Sequence, residues 1–400
     1  MSRPLRVSSI ARDIFTRFRD LRASDIHLVA GLPVHYRVNG ILQPDGQALT
    51  PGAVRAFLAQ ITDGDILATL LGREEIDLSL KFDLDDGPLR FRVNIALSEK
   101  IPYVVIRRLL EIKNTPSRLG IPDEFTALCR EHSHGVIFVT GTTGSGKSTT
   151  LASVLAHLLK QNPWRVITLE DPIEYAIPSG MGVVTQREIG RDTKSFASAL
   201  RAAMRQDPDV ILVGEVRDAE TAEALLAAAE TGHLVFATLH VGAATIVPER
   251  IAGMFRDTAE GAGAKKRLYN ILAGVLTQVL VPSKNGRSLG WELLTVGRKE
   301  RELLIAEDFQ GLREIMARNR HRLADCLVRM AARGLCDEQT VRPLVNYHYE
   351  WDEQYLEEQR RLSPSVPEAP PEKSGSAPEG EATPSPAAAD HVEDIVLGFL

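Results

Sequence analysis

Cysteine is scarce in this sequence of 400 residues, which contains only Cys129, Cys326 and Cys336. An odd number of widely separated cysteines excludes a disulfide framework and a four-ligand zinc site, so we expect reduced side chains. An excess of basic charge is also lacking, because the formal net charge is −6. Proteins that coat nucleic acid need a basic surface. We therefore expect no direct binding of nucleic acid.

Long hydrophobic runs are missing as well. Six arginines occur within the first 22 residues, but the apolar core of a signal peptide does not follow them. The apolar run 271–281 is much shorter than the ~20 residues that cross a bilayer. We therefore expect no transmembrane segment and a cytoplasmic location. The 44% of hydrophobic and 25% of charged residues are typical of folded domains, and the length predicts more than one.

The pattern of apolar residues predicts five parts. Short strands and helices mix irregularly at first, which predicts an α+β domain over 1–112. Proline and glycine then break the pattern and predict a linker over 113–122. Strand-then-helix units predict an α/β domain over 123–298, with a mainly parallel sheet covered by helices. Helical periodicity predicts a helical region over 299–361, and Pro, Ala, Ser and Glu dominate 362–400, which predicts a disordered tail whose apolar end could dock to a partner.

A phosphate-binding loop follows the apolar strand predicted over 136–140. Residues 141–149 match the pattern G-x-x-x-x-G-K-[ST] and lead into a helix. In such a loop the backbone amides surround a phosphate, Lys147 contacts the β- and γ-phosphates, and Ser148 offers its hydroxyl to Mg²⁺. We therefore predict binding of ATP and Mg²⁺. The predicted nucleotide-binding residues are Gly141, Thr142, Thr143, Gly144, Ser145, Gly146, Lys147, Ser148 and Thr149.

Polar side chains follow three predicted strands of this sheet. Ligands of open parallel sheets bind at the carboxyl ends of the strands, where Glu170, Glu215 and His240 stand. Phosphoryl transfer needs a held metal and an oriented water, so we assign Glu215 to the Mg²⁺ side and Glu170 to the attacking water. The two roles could be reversed, and either carboxylate could instead form a salt bridge. His240 could sense the γ-phosphate or cap a strand, whereas Asp209 precedes its strand and is assigned a structural role.

Together these segments resemble the type IV pilus retraction ATPases (PilT-like), a branch of the bacterial type II/IV secretion ATPases. The resemblance spans roughly residues 25–355 and rests on the phosphate loop and seven further segments. Those segments are SDIHL (24–28), RVNG (37–40), EID (75–77), RFRVN (90–94), TLEDPIE (168–174), DPDVILVGEVRD (207–218) and AETGHLVFATLH (229–240).

The resemblance implies a RecA-like P-loop ATPase domain preceded by a PAS-like α+β domain. It implies a homohexameric motor at the inner face of the bacterial inner membrane, acting on a pilus or secretion platform protein, and it allows a paralogous ATPase as a further partner. Within the site it marks Glu170 and Glu215 as catalytic and places His233 and His240 in a nucleotide-sensing motif.

The resemblance also implies that three arginines, Arg90, Arg92 and Arg107, reach the nucleotide. From periodicity alone, Arg90 and Arg92 stand two apart on a strand and would be interpreted as part of a solvated face. Lys100 departs from the arginine that is usual in the family, and a lysine lacks the bidentate guanidinium fork.

The direction of work depends on two further departures. The segment linked with retraction is not recognisable in residues 295–303, and the four-cysteine metal motif of extension motors is absent. We therefore predict an ATPase that drives pilus retraction, with two alternatives left open: an ATPase of a type IVB or conjugative secretion system, and an accessory retraction paralogue with weak activity of its own.

Overall fold

The structure is a computed structural model that describes residues 9–38, 40–61, 75–84, 87–98, 101–112, 114–284, 286–346 and 352–362. Its contacts divide these residues into two compact units. The first unit contains the described residues within 1–112, 170–176 and 186–193, and the second contains those within 114–169, 177–185 and 194–362. The first unit thus takes two segments from the range predicted as the α/β domain. The five-part division of the chain stays a prediction.

The strands are β1 (Asp25–Val29), β2 (Val34–Val38), β3 (Ile41–Asp45), β4 (Glu75–Leu84), β5 (Gly87–Ser98), β6 (Ile101–Arg108), β7 (Leu110–Glu111), β8 (Gly135–Thr140), β9 (Arg165–Glu170), β10 (Tyr175–Ala176), β11 (Val183–Glu188), β12 (Val210–Val213), β13 (Leu234–Leu239), β14 (Leu272–Ser283) and β15 (Gly286–Thr295). The helices are α1 (Ser9–Asp20), α2 (Pro51–Ile61), α3 (Asp123–Glu131), α4 (Lys147–Leu158), α5 (Phe196–Ala203), α6 (Ala219–Glu230), α7 (Val247–Ala252), α8 (Thr258–Ile271), α9 (Arg298–Ile305), α10 (Phe309–Arg318), α11 (Leu323–Ala332), α12 (Glu338–Asn346) and α13 (Glu353–Leu362).

The first unit is built on an antiparallel sheet of six strands in the order β3-β2-β1-β6-β5-β4. Side chains along β6 alternate between buried and partly exposed, as in a sheet with one face on a core. Helix α1 contributes Phe15 to that core, where its ring centroid lies 4.0 Å from that of Phe82 and 4.8 Å from that of Phe91. The predicted α+β class of this part is confirmed.

The second unit is built on a sheet of seven strands in the order β11-β9-β12-β13-β8-β14-β15. Strands β9, β12, β13, β8 and β14 run parallel, and β15 returns antiparallel to β14. All residues of β8 and β13 are buried, which explains their continuous apolar sequences, because helices cover both faces of such a sheet. The predicted α/β class with a mainly parallel sheet is confirmed. Residues 272–281 of the apolar run, for which no strand was predicted, form most of β14.

Among the described residues after β15, the structure has five helices, α9 to α13. The bounds of the predicted helical region stay a prediction. Helices α11 and α12 bury Leu327 and Val341 against Val279 and Val281 of β14. The predicted tail lies outside the described residues, apart from Leu362. Within the part of the chain that the structure describes, every helix is too short or too polar to span a bilayer.

Candidate functional site

The phosphate loop joins β8 to α4 in the second unit. Its first residue, Gly141, has φ +139°, and a Cβ atom there would lie 2.2 Å from the carbonyl oxygen of Gln278. Only glycine fits so close to the neighbouring backbone. Gly144 and Gly146 also have positive φ, of +77° and +88°. The loop therefore wraps tightly at the N-terminus of α4, where backbone amides and the helix dipole favour an anion.

Lys147 is buried against its own loop. Its Nζ donates hydrogen bonds to the carbonyl oxygens of Gly141 and Thr142, both at 2.8 Å. These backbone contacts hold the ammonium group beside the first two residues of the loop, a position that suits the predicted contact with the β- and γ-phosphates.

A side chain that sequence reasoning missed supports the loop from the adjacent strand. Gln278 of β14 donates from Nε2 to the carbonyl oxygen of Ser145 at 2.6 Å, and both side chains are buried. The hydroxyl oxygen of Ser145 is buried without a hydrogen-bond partner among the described residues. The one available signal for Gln278 was that it is a lone amide within an apolar run.

Glu215 and His240 contact each other in the second unit, where they follow the parallel strands β12 and β13. Nε2 of His240 lies 3.1 Å from Oε1 of Glu215, and Arg217 donates from Nε to Oε2 of Glu215 at 2.7 Å. Burial and the positive charge of Lys147 lower the pKa of His240 below its ordinary value, against the opposing effect of Glu215. The neutral imidazole can therefore donate a proton from one nitrogen and accept at the other near pH 7.

The predicted Mg²⁺ ligands are compatible with this arrangement. Ser148 is exposed in the first turn of α4, and Glu215 is mostly buried just beyond β12. Mg²⁺ is usually held by one or two protein oxygens together with phosphate oxygens and water. The described residues contain no cluster of three or more His, Cys, Asp or Glu side chains that could hold a metal ion. A Mg²⁺ ion bound together with phosphates does not need such a cluster.

Glu170 is the last residue of β9, as the sequence predicted, and its contacts assign it to the first compact unit. Its Oε1 accepts a hydrogen bond from Nε2 of Gln186 at 3.0 Å, and the same nitrogen donates to the carbonyl oxygen of Tyr175 at 2.8 Å. Oε1 of Gln186 in turn accepts from Arg90 at 3.4 Å. One amide therefore connects two residues that the sequence singled out separately. Gln186 was missed because a single glutamine on a strand carries no recognisable pattern.

The other two arginines are bound to carboxylates of their own sheet. Arg92 lies 3.4 Å from Asp77, and Nε of Arg107 lies 2.6 Å from Oδ1 of Asp25. Burial raises the pKa of Asp25, but hydrogen bonds from Ser24 and Arg107 outweigh it and hold that pKa below its ordinary value. The structure therefore gives both arginines a partner within the first unit.

Two further residues take local structural contacts. Asp209 accepts a hydrogen bond from the backbone amide of Arg165 at 2.7 Å, in keeping with the structural role assigned to it. His233 lies 3.0 Å from the carbonyl oxygen of Ala228 through Nδ1, at the end of α6. Lys100 lies outside the described residues.

The fold and these residues agree with the relationships of the chain. A model of the type II/IV secretion system protein family matches residues 6–351. The chain belongs to this family. Among curated members it is 35% identical over 326 residues to the type IV pilus retraction ATPase PilT of Pseudomonas aeruginosa, covering 80% of this chain and 93% of that protein.

Two solved structures of secretion and pilus ATPases are similar along most of their length. The pilus retraction motor PilT with bound ADP matches with a TM-score of 0.75 and 36% identity, over 88% of this chain and 100% of the other. The ATPase DotB of Legionella pneumophila matches with a TM-score of 0.75 and 27% identity, over 86% and 98% of the two chains. The resemblance stated from the sequence segments is confirmed.

Proposed function

We propose that this protein is a Mg²⁺-dependent ATP hydrolase that works as a homohexameric motor for type IV pilus retraction, the basis of twitching motility. Its place would be the cytoplasm, at the inner face of the inner membrane, acting on a pilus or secretion platform protein. The observation that carries the proposal is the phosphate loop with its buried lysine, in the same unit as the Glu215–His240 pair. The relationship to PilT, which extends over 93% of that relative, supports the choice of retraction.

The residues of the second unit would bind the nucleotide and prepare its γ-phosphate. Amides of the loop surround the β-phosphate, and Lys147 exchanges its two carbonyl partners for phosphate oxygens. Mg²⁺ held by Ser148 and Glu215 would neutralise the charge that develops on the phosphates. His240 contacts one carboxylate oxygen of Glu215 and Arg217 contacts the other. His240 would therefore respond to a change in the ligands of that carboxylate.

Glu170 would supply the water-orienting base, and Arg90, Arg92 and Arg107 would supply the cationic groups. We assign Glu170 to the attacking water, because a carboxylate held by an amide donor keeps a fixed orientation. The arginines would stabilise charge on the transferred phosphoryl group. Arg90 is the easiest to redirect, because its 3.4 Å contact is with a neutral amide, whereas Arg92 and Arg107 would have to leave carboxylates.

The test combines deletion of the gene with complementation by variants. Cells without the protein should carry excess surface pili that do not retract, and the wild-type gene should restore retraction. Lys147→Ala should fail to restore retraction. It should also lower ATP turnover of the purified hexamer at least about a thousandfold, because the positive charge that neutralises the phosphates is lost. Lys160→Ala, at an exposed lysine just beyond α4, is the matched control and should behave as wild type.

Other results would reassign the function. Normal pili with failed protein export would move the chain to a secretion or conjugation system. Pure protein that binds ATP without turnover, and that gains activity only with a paralogous ATPase, would make it an accessory subunit. A stable monomer with undiminished turnover in Lys147→Ala would contradict the motor altogether.

A further inference from the structure

A cavity of about 840 Å³ in the second unit lies apart from the phosphate loop, between the segment that precedes α3, strand β15 and helix α11. Six of the residues that line it are basic: Arg118, Arg287, Arg320, His321, Arg329 and Arg333. The acidic side chains in the lining are Asp123 and Glu124, which stand in the first turn of α3, where the helix dipole already favours negative charge.

Two of the arginines are committed to the protein itself. Arg320 lies 3.3 Å from both Asp325 and Asp352. Arg329 donates to the carbonyl oxygen of Arg320 at 3.0 Å and to the hydroxyl of Tyr355 at 3.1 Å. These contacts fix the inner wall of the cavity.

The other three arginines, Arg118, Arg287 and Arg333, are exposed and have no side-chain hydrogen bond or ion pair with any residue that the structure describes. Concentrated like charges on concave walls raise the local potential and attract a group of opposite sign. The cavity therefore suits an anionic ligand that can meet several guanidinium groups at once.

The sequence after α13 carries the complementary charge. Residues 363–400 contain seven carboxylates and a single lysine, which accounts for the whole formal net charge of −6. Four of the seven are grouped early in this segment: Glu368, Glu372, Glu379 and Glu381.

The end of α13 lies near the cavity. Arg360, two residues before the end of α13, lines a second cavity of about 820 Å³ together with Gly334 and Cys336. Arg333 and Leu335 of the same turn line the first cavity. An extended chain covers about 3.3 Å per residue, so Glu368 can reach about 20 Å from Leu362.

We propose that the acidic segment 368–381 of this chain binds in the arginine-lined cavity. Its carboxylates pair with Arg118, Arg287 and Arg333, the cationic groups that the described fold leaves without partners. Five prolines between residues 363 and 381 restrict the unbound segment, so less conformational entropy is lost when it binds. The interaction is electrostatic and weakens as salt rises, because exposed ion pairs are screened.

Hydrogen exchange of the full-length protein, followed by mass spectrometry, tests the proposal. Replacing the four glutamates by glutamine should speed exchange in segments 117–124, 286–291 and 319–335 about tenfold, the change expected when several exposed ion pairs are lost together. Reversing the cavity charges with Arg118→Glu, Arg287→Glu and Arg333→Glu should have the same effect. Combining that triple variant with lysines at the four tail positions should restore slow exchange, because the charges are swapped and the pairing is regained.

Three outcomes would overturn the proposal. Exchange that is equal in the wild type and the glutamine variant would show that the tail does not occupy the cavity. Protection that disappears on dilution would assign the cavity to a second copy of the chain. Added inorganic triphosphate could slow exchange equally in the wild type and in the glutamine variant. That result would make the cavity a site for a free anion. Because none of these residues belongs to the nucleotide site, ATP turnover measured in parallel keeps this test separate from that of the proposed function.

Discussion

The two compact units hold their predicted functional residues in different ways. In the second unit, backbone groups close to each other in sequence fix the phosphate loop, with Lys147 on the carbonyl oxygens of Gly141 and Thr142. In the first unit, Arg90, Glu170 and Gln186 come from three separate segments and meet through one amide. A backbone-made site appears in the sequence as a short pattern, whereas a site made by side-chain contacts does not. The second kind also depends more strongly on each single side chain.

The largest expected effect concerns Glu170, the carboxylate of the first unit. Glu170→Gln should lower ATP turnover by about 10² to 10⁴ and leave nucleotide binding unchanged, because the amide cannot accept a proton from the attacking water. Steady-state turnover together with equilibrium binding of a fluorescent nucleotide checks this. Glu174→Gln, at an exposed carboxylate nearby, is the control. Near-normal turnover in Glu170→Gln, with a large loss in Glu215→Gln, would reverse the two assigned roles.

A smaller effect is expected at Gln186, which we infer to be a positioning residue for Glu170. Gln186→Leu should lower kcat about tenfold and leave KM within about twofold, since a hydrogen bond to a charged group contributes about 1.5 kcal/mol. Gln161→Leu, at an exposed glutamine beyond α4, should leave both unchanged.

The pH profile of a second variant separates this positioning role from a merely structural one. Gln186→Glu places a carboxylate beside Glu170, and like charges raise the pKa of a pair. The acidic limb of kcat should therefore move to higher pH. If Gln186→Glu lowers protein stability but keeps the wild-type pH profile of kcat, the positioning role is contradicted.

The smallest effect concerns His240 in the second unit. Lys147→Ala should raise the pKa of His240 towards its ordinary value, because a neighbouring positive charge is removed, and Glu215→Gln should lower it further. Titration of the imidazole proton signals by NMR measures both changes. Lys160→Ala should leave the titration unchanged. A pKa that is the same in all three variants would show that His240 does not share an environment with Lys147 and Glu215.

Most of the fold could be predicted because hydrophobic periodicity is a local property. The buried strands β8, β12 and β13 and the helices that follow β8 and β12 have strong patterns, and their parallel order placed Glu215 next to His240. Strand β14 was missed, since an apolar run bounded by a helix has no alternation to distinguish it. Gln278, which lies on this strand and donates a hydrogen bond to the carbonyl oxygen of Ser145, was missed for the same reason.

The first unit could be predicted less completely. Its antiparallel strands were found from their alternation, but the partners of Arg92 and Arg107 stand across strand pairs, at Asp77 and Asp25. Strand register depends on pairing between distant segments, so the sequence left open whether these arginines were solvated, paired or aimed at a ligand.

The sequence by itself predicted the phosphate loop, because glycines, a lysine and a hydroxyl at fixed spacing have few other uses. Its eight matching segments also identified the family. Only the tertiary structure decided which side chains hold Glu170, that Gln278 supports the loop, and that three arginines of one cavity lack partners in the described fold. These features depend on contacts between residues far apart in the chain, and such contacts form only when the chain has folded.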